Sequence, residues 1–359
     1  MNHRTMSLAG LALVAAVAIA APAHAQYRIQ SADGSMSLNV GLLAQGQVEA
    51  LQATGADTYQ GNLFLRRLRV LAGGRLTDRV TLFAETDSPN LGKANAAGGK
   101  TDNAMTVQDF VLTYAVSHEL RVDAGMLLVP VSHNAQQSAA NLLAVDYGPY
   151  SFLASDSTFS KVGRDYGAAG RAYLFGDHLE VRAGLYQGRR TESARNPFRT
   201  AGRVVFYPYA PDSGFYYLGT SLGKRRIVGV GGSIDAQQAY RAWSVDGVAE
   251  WPVPGGDGIT LQADFTRFDG STTFALPRQD VVLAEAGWYC HRLRVSPFVQ
   301  YSQRDFNDPK LADESRFVGG LAWWSNGHKV NVKASVAQLT KDKASDGLQY
   351  VVQWQLLVW

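Results

Sequence analysis

The stretch LQYVVQWQLLVW, residues 348–359, decides the fold. Every second residue in it is large and apolar: Tyr350, Val352, Trp354, Leu356 and Val358. A period of two is typical of a β-strand with one apolar face, and the opposite face carries Gln349, Gln353 and Gln355. Since chain termini usually fray into water, we expect this apolar strand to be docked against another one.

Alternating segments of this kind recur along the chain, about sixteen in all, and no helical pattern is found outside residues 1–25. The predicted strands are 35–50, 63–76, 79–86, 106–116, 119–128, 164–175, 178–188, 200–209, 225–235, 240–251, 259–268, 279–289, 292–303, 315–324, 329–339 and 348–359. The sequence therefore predicts an all-β protein.

The connections between these strands alternate in length. Tight turns are predicted at 76–79, 117–118, 176–177, 290–291 and 326–327, and long polar loops at 87–105, 128–163, 189–199, 269–278 and 304–314. Short turns at one end and long loops at the other indicate a transmembrane antiparallel β-barrel. The connection 208–224 is longer than this rule predicts.

Charged residues share one face of each strand, while the other face is apolar; in 178–188, Glu180 and Arg182 oppose Val181 and Leu185. A sheet in lipid must close, because lipid cannot satisfy an open edge. We therefore expect the segment 348–359 to pair with 35–50 and to turn its apolar face to lipid.

Composition limits the location and the partners. Residues 1–25 have the positive start, apolar middle and small-residue cleavage site of a secretory signal peptide, which leaves 26–359 as one barrel domain. A membrane anchor is the alternative for this segment. Cys290 is the single cysteine, so an internal disulfide is excluded. Since 34 basic residues face 31 acidic ones, the charge does not favour nucleic-acid binding.

Three regions resemble the phosphate-selective porin family of outer-membrane channels (porins of the O and P type): SADGSMSLNVGLLAQGQVEA (31–50), LRRLRVLAGGRL (65–76), and AGMLLVP (124–130) with GRDYG (163–167). The resemblance implies a sixteen-stranded, trimeric porin in the outer membrane of a Gram-negative bacterium. Two features depart from the family pattern. Residues 128–160 contain no Lys or Arg, and Trp359 is out of phase with Trp354 and Tyr350.

Strand parity places balanced charges in the lumen, which predicts weak ion selectivity. Seven bases and seven acids are assigned there: Arg67, Arg69, Arg121, Arg171, Arg182, Arg294, Lys333, Glu85, Asp109, Asp123, Glu180, Asp246, Asp264 and Glu285.

The longest predicted loop, 128–163, is rich in Ala, Ser and Leu and carries few charges, so it suits the barrel interior better than water. We predict that it folds inward as a constriction loop, which includes Tyr147 and leaves an eyelet edged by His133, Asp146 and Asp156. Arg67, Arg69 and Arg121 would face these groups.

A second cluster is basic and lies near the predicted mouth of the barrel. It consists of Arg189, Arg190, Arg195, Arg199 and Arg203, with Glu192 as the one acid in 189–203. It predicts an electropositive vestibule that attracts anions. Contact with lipopolysaccharide phosphates, or a solvated loop, are the alternatives.

The leading hypothesis is a passive diffusion porin for small hydrophilic solutes, not an enzyme, without cofactor or metal. It would contact membrane lipids and engage the barrel-assembly machinery through 348–359. A specific anion channel of phosphate type is the second hypothesis. The third is an esterase using Ser221 in GTSLG (219–223), although that motif requires a strand-to-helix elbow. Four histidines at predicted turns, His118, His178, His291 and His328, favour polar turn positions over a metal or pH-sensing site.

Overall fold

The computed structural model describes residues 27–95 and 97–359; the predicted signal peptide lies outside them. Seventeen strands form one antiparallel sheet. Their bounds are β1 Tyr27–Gln30, β2 Ser37–Gln52, β3 Gln60–Arg75, β4 Val80–Asp87, β5 Thr106–Ala115, β6 Leu120–Leu128, β7 Arg164–Leu174, β8 Leu179–Tyr186, β9 Arg199–Phe206, β10 Ile227–Gln237, β11 Tyr240–Val253, β12 Asp257–Asp269, β13 Gln279–Tyr289, β14 Val295–Phe306, β15 Glu314–His328, β16 Val330–Lys341 and β17 Gly347–Val358. Two one-turn helices are α1 His133–Gln136 and α2 Ser155–Thr158.

Strands β2 to β17 form a closed ring of sixteen, because each pairs with the next along the chain and β17 pairs with β2. The predicted β-barrel and its strand number are therefore confirmed. Strand β1 lies outside the ring and pairs only with the start of β2, where Tyr27 is opposite Val40. No helix in 27–95 or 97–359 is long and apolar enough to span a membrane.

The seam between β17 and β2 is fixed on both faces. Inside the barrel, Gln45 donates to Gln355 over 2.6 Å and Gln47 donates to Gln353 over 2.7 Å. Outside, the ring of Trp354 lies so close to Gly46 that an added Cβ would come within 2.4 Å of it. The strand that ends the sequence is thus a fully paired wall strand, as its pattern predicts.

Trp359 follows the alternation of the inward-facing Gln353 and Gln355, so it lies on the inner face of the barrel. This explains why it is out of phase with the outward-facing Trp354. Its ring packs edge-on against Phe83, with ring centroids 6.1 Å apart, and covers Gly73. The final aromatic residue therefore lies inside the barrel, and no bulge is needed to account for it.

The two faces of the wall differ as the alternation predicts. Outward residues such as Leu185, Val245 and Val336 are 46–57% exposed, and an apolar outer surface of this kind is typical of a transmembrane barrel. Inward residues such as Glu180 and Lys333 are buried. They are buried because polypeptide fills much of the interior.

Two connections break the alternation of short turns and long loops. Turns on one side are short, as at 76–79, 116–119 and 254–256, and loops on the other are long, as at 129–163. However, β9 and β10 are joined on the short side by residues 207–226, and β10 and β11 on the long side by the two residues 238–239. The connection 207–226 leaves the turn side and enters the barrel.

The prediction that Arg294 lines the pore is wrong. Strand β14 begins at Val295, and Arg294 lies in the preceding turn with a left-handed φ of 55°. Its guanidinium donates to the carbonyl of Ser325 and is exposed. The turn is longer than predicted, so parity counted from residue 292 does not apply.

Removal of residues 348–359 should abolish folding into membranes, since the barrel would then expose two open edges at a cost of several kcal/mol per unpaired group. Loss of the heat-modifiable folded band in electrophoresis after refolding into vesicles measures this. The matched control lacks Tyr27–Gln30, which lies outside the ring; it should still give the folded band. A folded product from the first variant would contradict closure through β17.

Val245→Arg should destabilise the inserted barrel by about 2–4 kcal/mol, because it places a charge on the lipid face near the middle of β11. The free energy of unfolding in vesicles, from urea titration, measures the effect. Val245→Leu is the control and should change stability little. Equal stabilities for the two variants would show that this face does not contact lipid.

Candidate functional site: the occluded barrel interior

The loop 129–163 crosses the interior and is attached to strands around the ring. On the far wall, the hydroxyls of Ser233 and Ser244 both donate to the carbonyl of Val131. The backbone N–H of Asn134, in the first turn of α1, donates to Asp264 over 3.0 Å. This end of the loop is therefore fixed to β10, β11 and β12.

The middle of the loop is held by the opposite wall. Gln45 donates to the carbonyl of Ala139 over 3.1 Å, and Lys333 donates to the carbonyls of Leu142 and Ala144. Residues 142–145 (LLAV) are all buried, so the apolar composition that predicted an inward loop is used for packing. The buried backbone groups of the loop are satisfied by polar wall side chains, as a buried segment requires.

The segment 207–226 pairs with this loop from the turn side. Tyr217 donates its N–H to the carbonyl of Gln136 over 2.9 Å and accepts from the N–H of Ser138 over 3.0 Å. Further along, the N–H of Thr220 donates to the carbonyl of Asn141 over 3.1 Å. Two segments that enter from opposite ends thus form one backbone-paired partition across the barrel.

His133 lies inside this partition and not at an eyelet edge. Its ring is 1% exposed and stacks on Tyr217 with centroids 5.1 Å apart and planes 10° apart. Burial lowers the pKa of His133 to about 4, so the imidazole is neutral at neutral pH. The expectation that His133 edges the opening is wrong, because Tyr217 of the segment 207–226 stacks on its ring and buries it.

Arg182 anchors the second segment to the wall. It pairs with Glu180 at 2.5 Å and donates to the carbonyls of Gly214 and Phe215 over 2.7 and 3.0 Å. The hydroxyl of Tyr217 donates to the same Glu180 over 2.5 Å. Arg182 therefore has a structural task within the partition.

Asp146 is a partly exposed charge of the loop and bridges two arginines of β3. Its carboxylate oxygens lie 2.7 Å from Arg66 and 2.6 Å from Arg67. Burial alone would raise the pKa of Asp146, but the two guanidinium groups hold it well below its usual range. Asp146 therefore stays ionised, with two cations against one anion.

A β-bulge explains why both arginines point inward. Gln45 is paired with Arg67 and Gly46 with Leu65, so Arg66 is an extra residue in β3. A bulge re-aims side chains locally, and here consecutive residues share the inner face. Simple parity would have placed Arg66 in lipid.

The neighbouring wall charges neutralise one another. Arg69 lies 2.8 Å from Glu85 and 2.9 Å from Asp87, and Arg164 lies 2.9 Å from Asp109 and 3.5 Å from Glu85. All five side chains are buried. The predicted interior charges are thus tied into a network that Arg164, absent from the prediction, completes.

Other predicted residues are placed as follows. Arg171 pairs with Asp123 at 2.5 Å, and Glu285 accepts from Gln262 and Gln300. Arg121 lies near the turn end of β6 with its guanidinium 5.0 Å from the ring of Tyr173. The prediction that Arg121 faces Asp146 across an opening is therefore wrong. Asp156, in α2, is exposed, and Tyr147 lies with its ring 5.5 Å from Arg67.

The predicted basic mouth is smaller than expected. Arg199 and Arg203 lie on the inner face of β9, buried, and each is 2.5 Å from a carboxylate, of Asp235 and Asp246 respectively. In the loop, Arg190 donates to the carbonyls of Asn196 and Pro197. Of the five arginines, the loop therefore retains Arg189, Arg190 and Arg195.

Besides Arg66 and Arg164, sequence reasoning missed two interior arginines near the long-loop end. Arg304 lies 2.6 Å from Glu314 and 4.9 Å from the ring of Tyr150, a residue of the constriction loop. Arg316 donates to Gln349 over 2.9 Å and forms no salt bridge within 27–95 and 97–359. Parity along β15 would have identified Arg316, whereas Arg304 falls just beyond the predicted end of its strand.

The geometry of Ser221 does not suit a nucleophile. Its hydroxyl donates to buried Glu250 over 2.7 Å, and it lies in the connection between β9 and β10, which has no strand-to-helix elbow. His178 and His328 instead contact the carbonyls of Tyr207 and Thr220, which belong to the same connection. Among residues 27–95 and 97–359, no group of three or more His, Cys, Asp or Glu side chains could hold a metal ion.

Solved structures with the same architecture are outer-membrane channels. An anion-selective porin from Comamonas acidovorans matches with 11% identity over 89% of this chain and 100% of that one (TM-score 0.61). OmpF of Salmonella typhi, in complex with daunomycin, matches with 12% identity over 92% and 100% (TM-score 0.60). The channel DcaP of Acinetobacter baumannii matches with 10% identity over 92% and 99% (TM-score 0.59).

The fold is that of the outer-membrane porins. Identities this low show a shared fold alone. No protein-family model matches the chain, and no curated protein sequence matches it.

Asp146→Asn should raise the anion-to-cation permeability ratio about sevenfold. A unit charge several ångströms from a permeating ion in water is worth about 0.6 kcal/mol, and its removal favours anions and disfavours cations by that amount. Reversal potentials in a salt gradient across planar bilayers measure the ratio. The matched control is Asp156→Asn, an exposed carboxylate on the same loop, which should leave the ratio nearly unchanged. If Asp146→Asn changed the permeability ratio no more than Asp156→Asn does, the Arg66–Arg67–Asp146 group would not lie on the ion path.

Proposed function

We propose that the protein is a porin of a Gram-negative outer membrane that passes small hydrophilic solutes down their gradients. The observation that supports this most is the closed sixteen-strand barrel with an apolar exterior and a charged interior. The constriction loop supports it further, since it narrows the interior without closing the barrel end beneath it, where a cavity of about 660 Å3 remains. No step of this function requires a reaction.

A modest anion preference follows from charges that the wall does not neutralise. The long-loop end holds three arginines with few carboxylates beside them, Arg66, Arg67 and Arg316. Asp146 pairs with the first two. The loop 187–198 adds the exposed Arg195 at the rim. Fields of this sign raise the local concentration of anions.

A substrate-specific anion channel is the second candidate. The surplus of guanidinium groups around Asp146 favours it, because such groups bind carboxylate or phosphate in bidentate fashion. However, the loop segment 128–160 contributes no Lys or Arg. A saturable block of chloride current by millimolar phosphate would favour this candidate over general diffusion.

The assembly and partners are proposed from the family resemblance. We expect a homotrimer in contact with lipids and lipopolysaccharide, inserted by the barrel-assembly machinery through β17 after export by the signal peptide 1–25. Chemical cross-linking of the folded protein in detergent checks the oligomer. A pattern with monomer alone would contradict the trimer.

Shortening of 135–158 to a brief Gly-Ser linker should raise single-channel conductance several-fold, because it removes most of the partition while the ring β2–β17 stays complete. Planar-bilayer recordings of the purified protein measure this, and stepwise currents from the wild type test the channel itself. The control shortens 308–312, a loop at the rim, and should change conductance little.

Two results would contradict these expectations. Absence of current from correctly folded wild-type protein would oppose the porin function. Unchanged conductance in the 135–158 variant would show that the segment 207–226 alone sets the aperture.

A further inference from the structure

A cavity of about 660 Å3 lies below the partition, at the turn end of the barrel. Its roof is the constriction loop at 138–141, one side is the inserted segment at 213–216, and the remaining wall comes from β3 to β7 and the end of β17. This volume is within the range of small-molecule sites, about 300–1,000 Å3.

Four aromatic rings form one side of the cavity. Phe83 is at the centre, with ring centroids 6.3 Å from Phe215, 5.8 Å from Tyr216 and 6.1 Å from Trp359. Phe215 and Tyr216 are themselves edge-to-face at 4.8 Å. All four rings remain partly exposed, so this side of the cavity offers aromatic surface that a ligand can reach.

Two guanidinium groups complete the cavity. Arg121 has its guanidinium 5.0 Å from the ring centroid of Tyr173, and this group donates no hydrogen bond to any of the residues 27–95 and 97–359. Arg79 is exposed at the mouth. Neither arginine forms a salt bridge within the described residues 27–95 and 97–359, so both carry charge that the protein does not neutralise there.

The other charges of the cavity are already matched. Glu85 is taken by Arg69 and Arg164. Arg171 is paired with Asp123 at 2.5 Å, and Asp78 lies in the turn, 94% exposed and 3.6 Å from Arg75. The cavity therefore presents aromatic surface on one side and two unmatched cations on the other.

We propose that this cavity is a binding site for small aromatic carboxylates, in which Arg121 and Arg79 take the carboxylate and the Phe83–Phe215–Tyr216–Trp359 cluster takes the ring. A guanidinium binds a carboxylate through two parallel hydrogen bonds. An aromatic ring gains both burial and edge-to-face contact in such a cluster. A phosphate ion would have to lose water against the rings and gains nothing from them.

The inference deepens the proposed porin function and rests on it for its biological meaning, but binding can be measured without conduction. The probe is 4-fluorobenzoate, whose 19F line broadens when it binds the folded protein in detergent micelles. We expect saturable broadening by the wild type. 4-Fluorobenzyl alcohol lacks the charge and trifluoroacetate lacks the ring, so both should broaden far less.

Arg121→Gln should weaken 4-fluorobenzoate binding about tenfold, as expected for loss of a charge-assisted pair. Phe215→Leu should weaken it roughly three- to tenfold while affecting trifluoroacetate little. The matched control is Arg267→Gln, which removes a guanidinium that pairs with Asp280 elsewhere on the wall. Heat-modifiable mobility verifies that each variant is folded.

Three outcomes would overturn the proposal. One is the absence of broadening by folded wild-type protein, and another is equal broadening of the neutral alcohol. The third is equal binding of trifluoroacetate, which would make the site a general anion site without a role for the rings. Channel currents in bilayers without probe binding would reject this site and leave the porin function standing.

Discussion

Closure of the hydrogen-bond ring is the constraint on which the rest of the structure depends. In lipid, every backbone N–H and C=O must find a partner within the protein, so β17 must meet β2. The seam meets this demand with a full ladder from Leu348 opposite Gln52 to Val358 opposite Leu42. The inner Gln45–Gln355 contact and the outer packing of Trp354 fix its register, and a slip of one residue would reverse every face.

Closure also determines what can happen inside. A ring of sixteen strands is wider than its own side chains can fill, so the chain supplies two further segments. Each carries backbone groups into a space without a sheet, and these are satisfied by wall side chains such as Lys333, Arg182 and Asp264. Many buried charges of the wall thus hold the partition or one another in place.

The sequence predicts those features that depend on local alternation. Strand number, closure and the inward placement of Glu180 and Lys333 follow from a period of two, which each strand carries by itself. Strand parity assigns Arg66 and Arg294 to the wrong positions, because a bulge and a left-handed turn shift the alternation without a clear sequence signal. The fate of 207–226 was also beyond reach, since its partners, such as Gln136, are distant in the chain.

Strand alternation predicts which charges lie inside the barrel, but not which of them pair with one another. This pairing decides how the ion selectivity of such a barrel should be interpreted. Seven bases and seven acids on one face suggest an unselective lumen, yet an arginine such as Arg203 contributes little field once Asp246 lies 2.5 Å away. An ion that entered such a barrel would sense the charges left unpaired, at places where the wall and the inserted segments do not neutralise one another. One such place is Asp146 between Arg66 and Arg67, and another is Arg121 beside its aromatic neighbours. For the proposed porin function, we therefore expect ion selectivity to depend on a few mismatched groups and not on the total count of lumenal charges.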